Sequence, residues 1–435
     1  MRLCSILLVF FAACSGPSPV VEGDAGLDSD AGFDAGTSDA GPSSDAGLDA
    51  GLSDAGLSDA GTCAIAPVVL THTVATNPNV PREHLVNPTL FPDAKCNDGT
   101  PAAFITRQGV GAGTRRWLLF LEGGGSCGND VDCTARALTD PGLMSSRGYT
   151  EGSPHATPVL DGFKSADPTV NPDFYDANFV QLHYCSSDQW SGDTDATSDA
   201  GIGRFAFKGR ANLAAVIRTL LPLGFAQADE VFFAGSSAGG LGLFAVVDDV
   251  RAQLPARIRM VALADAAFAL DYPDFDPATG QPTTARPTPR QVSFMSDLAT
   301  WGGRGDLSCE AAATDAFGRA QCRLASTLFS GGFLDVPVFV RQSQRDQVQL
   351  KMLGAGFADV SGPAVEAYRL GFGQEMARQL RAAPPPHSVF SPDDIKHGTT
   401  DTPQYNGSVI DGVKMSTAIG AFYRDPCTQA LLVEP

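Results

Sequence analysis

Three features are missing from this sequence, and each absence excludes a class of protein. An excess of positive charge is missing: 30 Lys and Arg face 49 Asp and Glu, and the net charge of −19 argues against a nucleic-acid partner. No Cys-x-x-Cys occurs and the histidines are scattered, so we predict neither a metal site nor any other cofactor. The apolar run within residues 1–14 is shorter than the ~20 residues that span a bilayer.

The first 62 residues predict a targeting signal followed by a tether. Residues 1–14 combine one cation, an apolar run and small residues, as a secretory signal does, and Phe11-Ala12-Ala13-Cys14 resembles the bacterial lipobox, in which the cysteine is acylated. Residues 15–62 contain eight Asp-Ala-Gly triplets, nine Asp and no Lys or Arg, which predicts a disordered, solvated linker. We therefore expect an exported lipoprotein at the cell surface or outer membrane, attached to the membrane only through Cys14. A secreted protein with an ordinary cleaved signal is the alternative.

The remaining cysteines predict a disulfide framework. With Cys4 and Cys14 set aside, eight are left, and an even number in an exported chain predicts four disulfides. Short separations favour Cys127–Cys133 and Cys309–Cys322 as local bridges. Spacing alone leaves open how the other four pair: Cys63, Cys96, Cys185 and Cys427.

Residues 63–435 predict a single large α/β domain. The 43% hydrophobic content is ample for a core. Helical spacing in Phe207–Leu221 and Leu241–Leu254 predicts crossover helices, and hence a mostly parallel sheet with helices on both faces. Residues 271–330, rich in Pro, Thr, Gly and Ala, are expected to form a cap or insertion. Five short apolar runs predict doubly buried strands: Trp117–Leu121, Phe179–Tyr184, Val231–Ala234, Met260–Ala264 and Val336–Val340.

The most informative segment is Gly235-Ser236-Ser237-Ala238-Gly239, between a predicted strand and a predicted helix. Gly-x-Ser-x-Gly in that setting is typical of a nucleophile elbow, the strained turn that exposes the serine of an α/β-hydrolase. Ser237 is therefore the predicted nucleophile. Ser236 is a rival that does not occupy the centre of the motif, and a plain Gly/Ser-rich loop is the alternative interpretation.

A serine nucleophile requires a histidine base. In this architecture the chain order is Ser, then Asp or Glu, then His, and only two histidines follow Ser237. His387 follows three prolines, so we expect it in a surface linker. His397 lies in a polar, glycine-containing loop that suits a mobile base, and it is the predicted one.

The carboxylate that orients the base is expected just after a late strand. Asp346 lies there, past Val336–Val340. A solvated carboxylate paired with Arg345 is the alternative interpretation of this residue. Asp265, which follows an earlier strand, is predicted to be structural.

An oxyanion hole needs backbone N–H groups that no side chain obstructs. Ala238 follows the nucleophile and supplies one. The glycine-rich stretch after an early strand supplies the second, as in lipases and esterases, with Gly124 and Gly125 as the expected donors. A phosphate-binding loop is a weak alternative, because no Lys-Ser/Thr follows.

From about Asn87 to the C-terminus the chain resembles the pectin acetylesterase/Notum family. Plant members remove acetyl groups from pectin, and the animal member Notum removes a palmitoleoyl group from Wnt proteins. Both are serine hydrolases of α/β-hydrolase type without a metal. The resemblance lies in Leu118-Leu119-Phe120-Leu121-Glu122-Gly123-Gly124-Gly125, Tyr184-Cys185-Ser186-Ser187-Asp188, Gly235-Ser236-Ser237-Ala238-Gly239-Gly240 and Leu263-Ala264-Asp265.

Carried over by motif, the resemblance implies Ser237 as nucleophile, Asp346 as acid and His397 as base, in agreement with the chain order. This chain has Gly125 and Ser126 where plant members carry a tryptophan after the third glycine and Notum has an aromatic pair. An aromatic wall beside the oxyanion hole is therefore missing, and the lipid-pocket specificity of Notum is not carried over.

The family's Cys-Asn-Asp-Gly is similar to Cys96-Asn97-Asp98-Gly99 here, and this resemblance implies a Cys96–Cys185 bridge. Cys63 and Cys427 would then be the last pair.

The resulting hypothesis is an exported serine carboxylesterase that removes small acyl groups, most simply acetyl, from a polysaccharide such as pectin. Two alternatives stay open: a Notum-like deacylase of fatty-acyl proteins, and a surface carbohydrate-binding protein that has kept the fold without turnover. The oligomeric state is not predicted.

Overall fold

The computed structural model describes residue 63 and residues 65–155, 160–195 and 205–435. The chain divides into two units, Met1–Leu57 and Ser58–Pro435, and the description below concerns the second. The signal predicted for residues 1–14, the lipid site at Cys14 and the linker predicted for residues 15–62 lie outside the described residues.

The centre of the second unit is a nine-stranded sheet of order β1-β2-β4-β3-β5-β6-β9-β10-β13. Seven neighbouring strands from β4 to β13 run parallel, whereas β2 is antiparallel to both β1 and β4. Two further pairs, β7 with β8 and β11 with β12, form small separate sheets. The strands are β1 (Arg82–Leu85), β2 (Ala103–Arg107), β3 (Arg116–Leu121), β4 (Asn178–Leu182), β5 (Glu230–Ser236), β6 (Arg259–Asp265), β7 (Phe275–Asp276), β8 (Gln281–Pro282), β9 (Val338–Arg341), β10 (Ser388–Ser391), β11 (Val409–Ile410), β12 (Val413–Lys414) and β13 (Leu431–Val433).

Helices cover both faces of this sheet, so the predicted α/β class is confirmed. Adjacent residues of β5 show why. Phe233 belongs to the hydrophobic cluster on one face of the sheet, together with Leu213 and Leu243, whereas Phe232 belongs to the cluster on the other face, where its ring lies 5.2 Å from that of Tyr423. The helices are α1 (Asp130–Thr139), α2 (Gly209–Leu220), α3 (Ala238–Gln253), α4 (Pro289–Trp301), α5 (Leu307–Ala312), α6 (Ala316–Gln321), α7 (Ala325–Gly331), α8 (Gln347–Met352), α9 (Pro363–Arg381), α10 (Gln404–Gly407) and α11 (Met415–Arg424).

All five predicted strands are present, with ends shifted by one or two residues. The sequence analysis missed four others in the main sheet, β1, β2, β10 and β13. Arg82-Glu83-His84-Leu85 shows the reason, since a short strand at a sheet edge carries polar residues and no apolar run. The stretch 271–330 contains helices α4 to α6 and most of α7 and adds no strand to the main sheet, as expected of an insertion.

Four disulfides connect the described cysteines: Cys63–Cys427, Cys96–Cys185, Cys127–Cys133 and Cys309–Cys322. Cys63–Cys427 ties the start of the described chain to the segment after α11, across 364 residues. None of the helices in the described ranges is long and apolar enough to cross a membrane.

Candidate active site

The turn between β5 and α3 holds Ser237 in a strained conformation, with φ 55° and ψ −123°. The flanking glycines are required by space: a Cβ on Gly235 would lie 2.3 Å from the carbonyl oxygen of Gly239, and one on Gly239 would lie 2.0 Å from that of Leu121. The Ser237 N–H donates to the carbonyl of Asp265 at the end of β6, 2.9 Å away. Packing against the neighbouring strands thus holds the side chain at the carboxyl edge of the sheet.

Ser237, His397 and Asp346 form one hydrogen-bonded chain. Ser237 Oγ lies 2.7 Å from His397 Nε2, and His397 Nδ1 lies 2.8 Å from Asp346 Oδ2. Ser237 and His397 are half-buried, whereas Asp346 is fully buried. With Nδ1–H donating to the carboxylate, Nε2 carries a lone pair and accepts the serine proton, which is the geometry a general base requires.

Asp346 is held by its own local structure. It is the N-cap of α8, where Oδ1 accepts the backbone N–H groups of Val348 (2.9 Å) and Gln349 (3.2 Å). The Gln342 side-chain amide donates to Oδ2 at 3.2 Å. The alternative pairing with Arg345 does not occur, because that guanidinium contacts Asp393 instead.

The loop that carries His397 is anchored by Asp265. Its Oδ2 accepts hydrogen bonds from the backbone N–H groups of Thr399 and Thr400 and from the Thr400 hydroxyl, at 2.7, 2.9 and 2.9 Å. Asp265 is fully buried, and its Oδ1 lies 3.5 Å from the guanidinium of Arg341, also fully buried. Asp265 therefore supports the base without contacting it.

Sequence reasoning missed the other anchors of this loop. Arg341 Nη2 donates to Ser343 Oγ at 2.8 Å, and the same hydroxyl lies 2.6 Å from the Lys396 carbonyl oxygen. The available signal was the change from an apolar strand to three polar residues, Arg341 to Ser343, at its carboxyl end. Polar groups at that edge of a parallel sheet are the ones that meet a ligand site.

The predicted oxyanion donors lie next to the nucleophile. We call residues 123–126 the oxyanion loop. Gly125 and Ala238 line the same cavity as Ser237, whereas Gly124 precedes them in the loop and an added Cβ there would be 3.0 Å from Leu143. Among the described residues none accepts a hydrogen bond from the N–H of Gly124 or Gly125, so both are available to a ligand.

The cavity beside Ser237 has a volume of about 340 Å³. Its floor carries the nucleophile and the base, and Gln189 and Arg323 are among its polar lining residues. Most of the wall is apolar. Sequence reasoning identified none of these residues, because they come from segments far apart in the chain: α3, α4, α8 with the residue after it, and the segments that follow β6 and precede α7. The large apolar lining residues are Leu241, Leu270, Phe294, Leu324, Val348, Met352 and Leu353.

The rival residues of the sequence analysis take other positions. Ser236 ends β5 and is buried, and His397 Nε2 bonds to Ser237 instead. His387 is not in a surface linker, and that prediction was wrong. The ring is 4% exposed, stacks on Phe329 with 4.4 Å between ring centroids, and its Nδ1 accepts the N–H of Val338.

Comparison with protein families gives one match over most of this chain. The family model described as Pectinacetylesterase matches residues 76–425. That range includes every residue of the hydrogen-bonded chain and of the oxyanion loop.

Individual relatives fall into two groups. The human palmitoleoyl-protein carboxylesterase NOTUM is 32% identical over 343 residues, which are 76% of this chain and 64% of that protein. Pectin acetylesterase 5 of Arabidopsis thaliana is 35% identical over 190 residues, 44% of this chain and 42% of that protein. Pectin acetylesterase 4 of the same plant is 33% identical over 228 residues, 51% of each protein. The chain therefore spans less than two thirds of the length of these relatives.

Proposed function

This chain belongs to the pectinacetylesterase family, and from that premise we propose that it is a serine carboxylesterase that works through an acyl-enzyme. The observation that carries the proposal is the hydrogen-bonded chain from Ser237 Oγ through His397 to Asp346, at 2.7 and 2.8 Å. A buried carboxylate, an imidazole and a serine hydroxyl in that order are what nucleophilic ester cleavage requires.

In the first half-reaction Ser237 Oγ attacks the ester carbonyl while His397 Nε2 takes the hydroxyl proton. Asp346 holds the ring and stabilises its positive charge. The N–H groups of Gly124, Gly125 and Ala238 stabilise the oxyanion. His397 then protonates the departing alcohol, leaving the acyl group on Ser237.

In the second half-reaction a water molecule replaces the alcohol. His397 takes a proton from it as it attacks the acyl carbon, and the carboxylic acid leaves as Ser237 recovers its proton. No metal or cofactor is required by this sequence of steps.

We propose O-acetyl groups on a polysaccharide as the substrate. The names of the two plant relatives support it, as does the pair Gly125 and Ser126, positions at which the oxyanion loop itself carries no aromatic side chain. One observation favours the second candidate, removal of a longer acyl group from a protein or lipid. A largely apolar cavity of about 340 Å³ is far larger than a two-carbon acyl group fills.

We further propose that residues 63–435 form the catalytic domain of an exported protein. Four disulfides favour an oxidising compartment. Anchoring through acylated Cys14, with residues 15–62 as spacer, belongs to the same proposal. Labelled palmitate should be incorporated into the full chain and not into Cys14→Ala, and an unlabelled wild-type chain would exclude the anchor.

The enzymatic proposal is tested with p-nitrophenyl esters from acetate to palmitate, using protein with its disulfides formed. Turnover should disappear in Ser237→Ala and persist in the matched control Ser236→Ala. Rates that fall with chain length support the acetylesterase, and rates that peak at long chains support the deacylase. If folded wild-type protein neither turns over esters nor is labelled at Ser237 by an organophosphonate, the protein is a binding protein.

A further inference from the structure

A second histidine–carboxylate pair lies directly before the oxyanion loop. Glu122 is the residue between β3 and Gly123, and its Oε2 accepts the backbone N–H of Tyr184 at 2.9 Å and faces His183 Nδ1 at 3.0 Å. The carbonyl of Glu122 accepts the indole N–H of Trp190 at 2.9 Å. The oxyanion loop therefore starts from a residue whose backbone and side chain are both held.

The partners of His183 determine its charge. Nδ1 faces the Glu122 carboxylate, and Nε2 lies 3.1 Å from the backbone carbonyl oxygen of Ser145. A carbonyl oxygen accepts and cannot donate, and the Glu122 carboxylate already accepts other N–H groups. Both ring nitrogens must therefore donate, so His183 is an imidazolium and the pair is a buried ion pair.

The surroundings of His183 are consistent with this charge. Burial alone would lower the pKa of His183, but the hydrogen bond and charge of Glu122 outweigh it and the pKa is raised. The Tyr149 ring lies over the imidazole, with 4.7 Å between ring centroids, and supplies a π face to the cation.

Two further sets of charged residues lie near His183, each separated from it by another side chain. A second pair, His155 with Glu83 at 2.9 Å, lies on Tyr149 as well, with 5.9 Å between the His155 and Tyr149 centroids. Lys164 reaches this region through the Gln181 amide, 3.4 Å away, and pairs with Asp401. Glu122 is therefore the direct counter-ion of His183.

The two ends of the oxyanion loop are held in different ways. At the C-terminal end, Cys127 is bonded to Cys133, and its carbonyl accepts the Trp301 indole N–H at 2.7 Å. At the N-terminal end, the attachment is the Glu122–His183 pair together with the hydrogen bonds that Glu122 accepts from Tyr184 and Trp190. A disulfide holds one end, whereas hydrogen bonds that include an ion pair hold the other.

We propose that Glu122 and His183 are positioning residues, and that their ion pair holds the oxyanion loop in the geometry that stabilises the transition state. This inference rests on the proposed esterase function. Because the oxyanion exists only in the transition state, a displaced loop lowers kcat and leaves KM nearly unchanged. The pair exists only while His183 is protonated, so kcat should also fall on the alkaline side.

The test compares Glu122→Gln, His183→Gln and the matched control His155→Gln in the full-length protein. Removing one oxyanion donor typically costs 10²–10³ in kcat, so we expect a displaced loop to cost about 10–100-fold with KM changed by less than about twofold. The control removes an equivalent His–Glu contact on the same tyrosine but does not touch the loop, and it should keep the wild-type kcat.

The pH dependence separates positioning from mere stability. Wild-type kcat should decline at alkaline pH under conditions where the protein is still fully folded, and His183→Gln should have lost that decline. The thermal midpoint of the wild type should also fall somewhat over this range, because the proton on His183 stabilises the folded state. Folded Glu122 and His183 variants with wild-type kcat overturn the inference, as does an equal loss in His155→Gln. If the variants do not fold, a wild-type kcat without an alkaline decline overturns it. A wild-type protein whose turnover equals that of Ser237→Ala overturns the proposed function instead.

Discussion

Two histidine–carboxylate pairs at the carboxyl edge of one sheet differ in a single partner. His397 and His183 both direct Nδ1 at a carboxylate, at 2.8 and 3.0 Å. Nε2 of His397 faces the hydroxyl of Ser237, which donates a proton, and Nε2 of His183 faces the carbonyl of Ser145, which only accepts. The third partner thus leaves Nε2 of His397 free to accept a proton, whereas it favours a proton on Nε2 of His183.

The largest expected effect comes from the base. His397→Gln cannot take the serine proton, so kcat for p-nitrophenyl acetate should fall on the order of 10⁵-fold. His183→Gln, which loses only a positioning contact, should lose about 10–100-fold in kcat, far less than His397→Gln. Comparable losses in the two variants would show that the comparison between the pairs is wrong.

Replacing the two carboxylates should also give unequal losses of kcat, with the larger loss at the partner of His397. Asp346→Asn still caps α8 but no longer accepts the Nδ1 proton, which favours the wrong tautomer of His397, and kcat should fall about 10⁴-fold. Glu122→Gln should cost less by a factor of about 100 or more, because that carboxylate does not touch the base. Thermal unfolding checks that Asp346→Asn stays folded, and a variant with near wild-type kcat would exclude Asp346 from the mechanism.

The contrast also shows which parts of the site a sequence reveals. The sequence singles out Ser237 and His397 because the glycine spacing of a strained turn and the chain order leave few candidates, and the structure brings these two side chains together. His183 was not, because its role depends on the Ser145 carbonyl, 38 residues away, and a backbone group carries no residue identity.

The fold divides in the same way. The apolar run Val231–Ala234 predicts a strand, whereas β10 and β13, with four and three residues, are too short to show a hydrophobic pattern. His387 was misassigned because its three preceding prolines resemble a linker, while the stacking with Phe329 that holds the ring in the core is a tertiary contact.

The next largest effect is expected on stability, when the anchor of the His397 loop is removed. Asp265→Asn removes the fully buried counter-ion of Arg341, leaves it only the partly exposed Asp394, and weakens three hydrogen bonds to the loop. Breaking a buried pair from one side should cost about 3 kcal/mol of unfolding free energy, measured in urea. Asp394→Asn is the matched control, because Asp394 also faces Arg341 but is 28% exposed, and it should cost less. An equal loss in both variants would remove the special role of Asp265.

The smallest effect concerns a third histidine, which has no carboxylate partner. Burial lowers the pKa of His387 to about 4, below the ordinary value of about 6.5. Between about pH 6.5 and 4, His387 is therefore protonated in the unfolded chain and neutral in the folded chain. The free energy of unfolding consequently falls as the pH drops through this range. The slope is about 1.4 kcal/mol per pH unit, which gives a loss of about 2 kcal/mol between pH 6.5 and 5.

His387→Gln isolates that contribution, because other titrating groups act equally in both proteins. The variant loses the stacking on Phe329 and should be less stable by about 1 kcal/mol at pH 7.5. Since glutamine takes up no proton, the difference from the wild type should shrink or reverse at pH 5. A difference that stays constant across this range would mean that the folded protein accepts the proton on His387. Burial without a carboxylate partner would then not be enough to keep the His387 ring neutral. The conclusion that hydrogen-bond partners determine the protonation of His397 and His183 would not extend to His387.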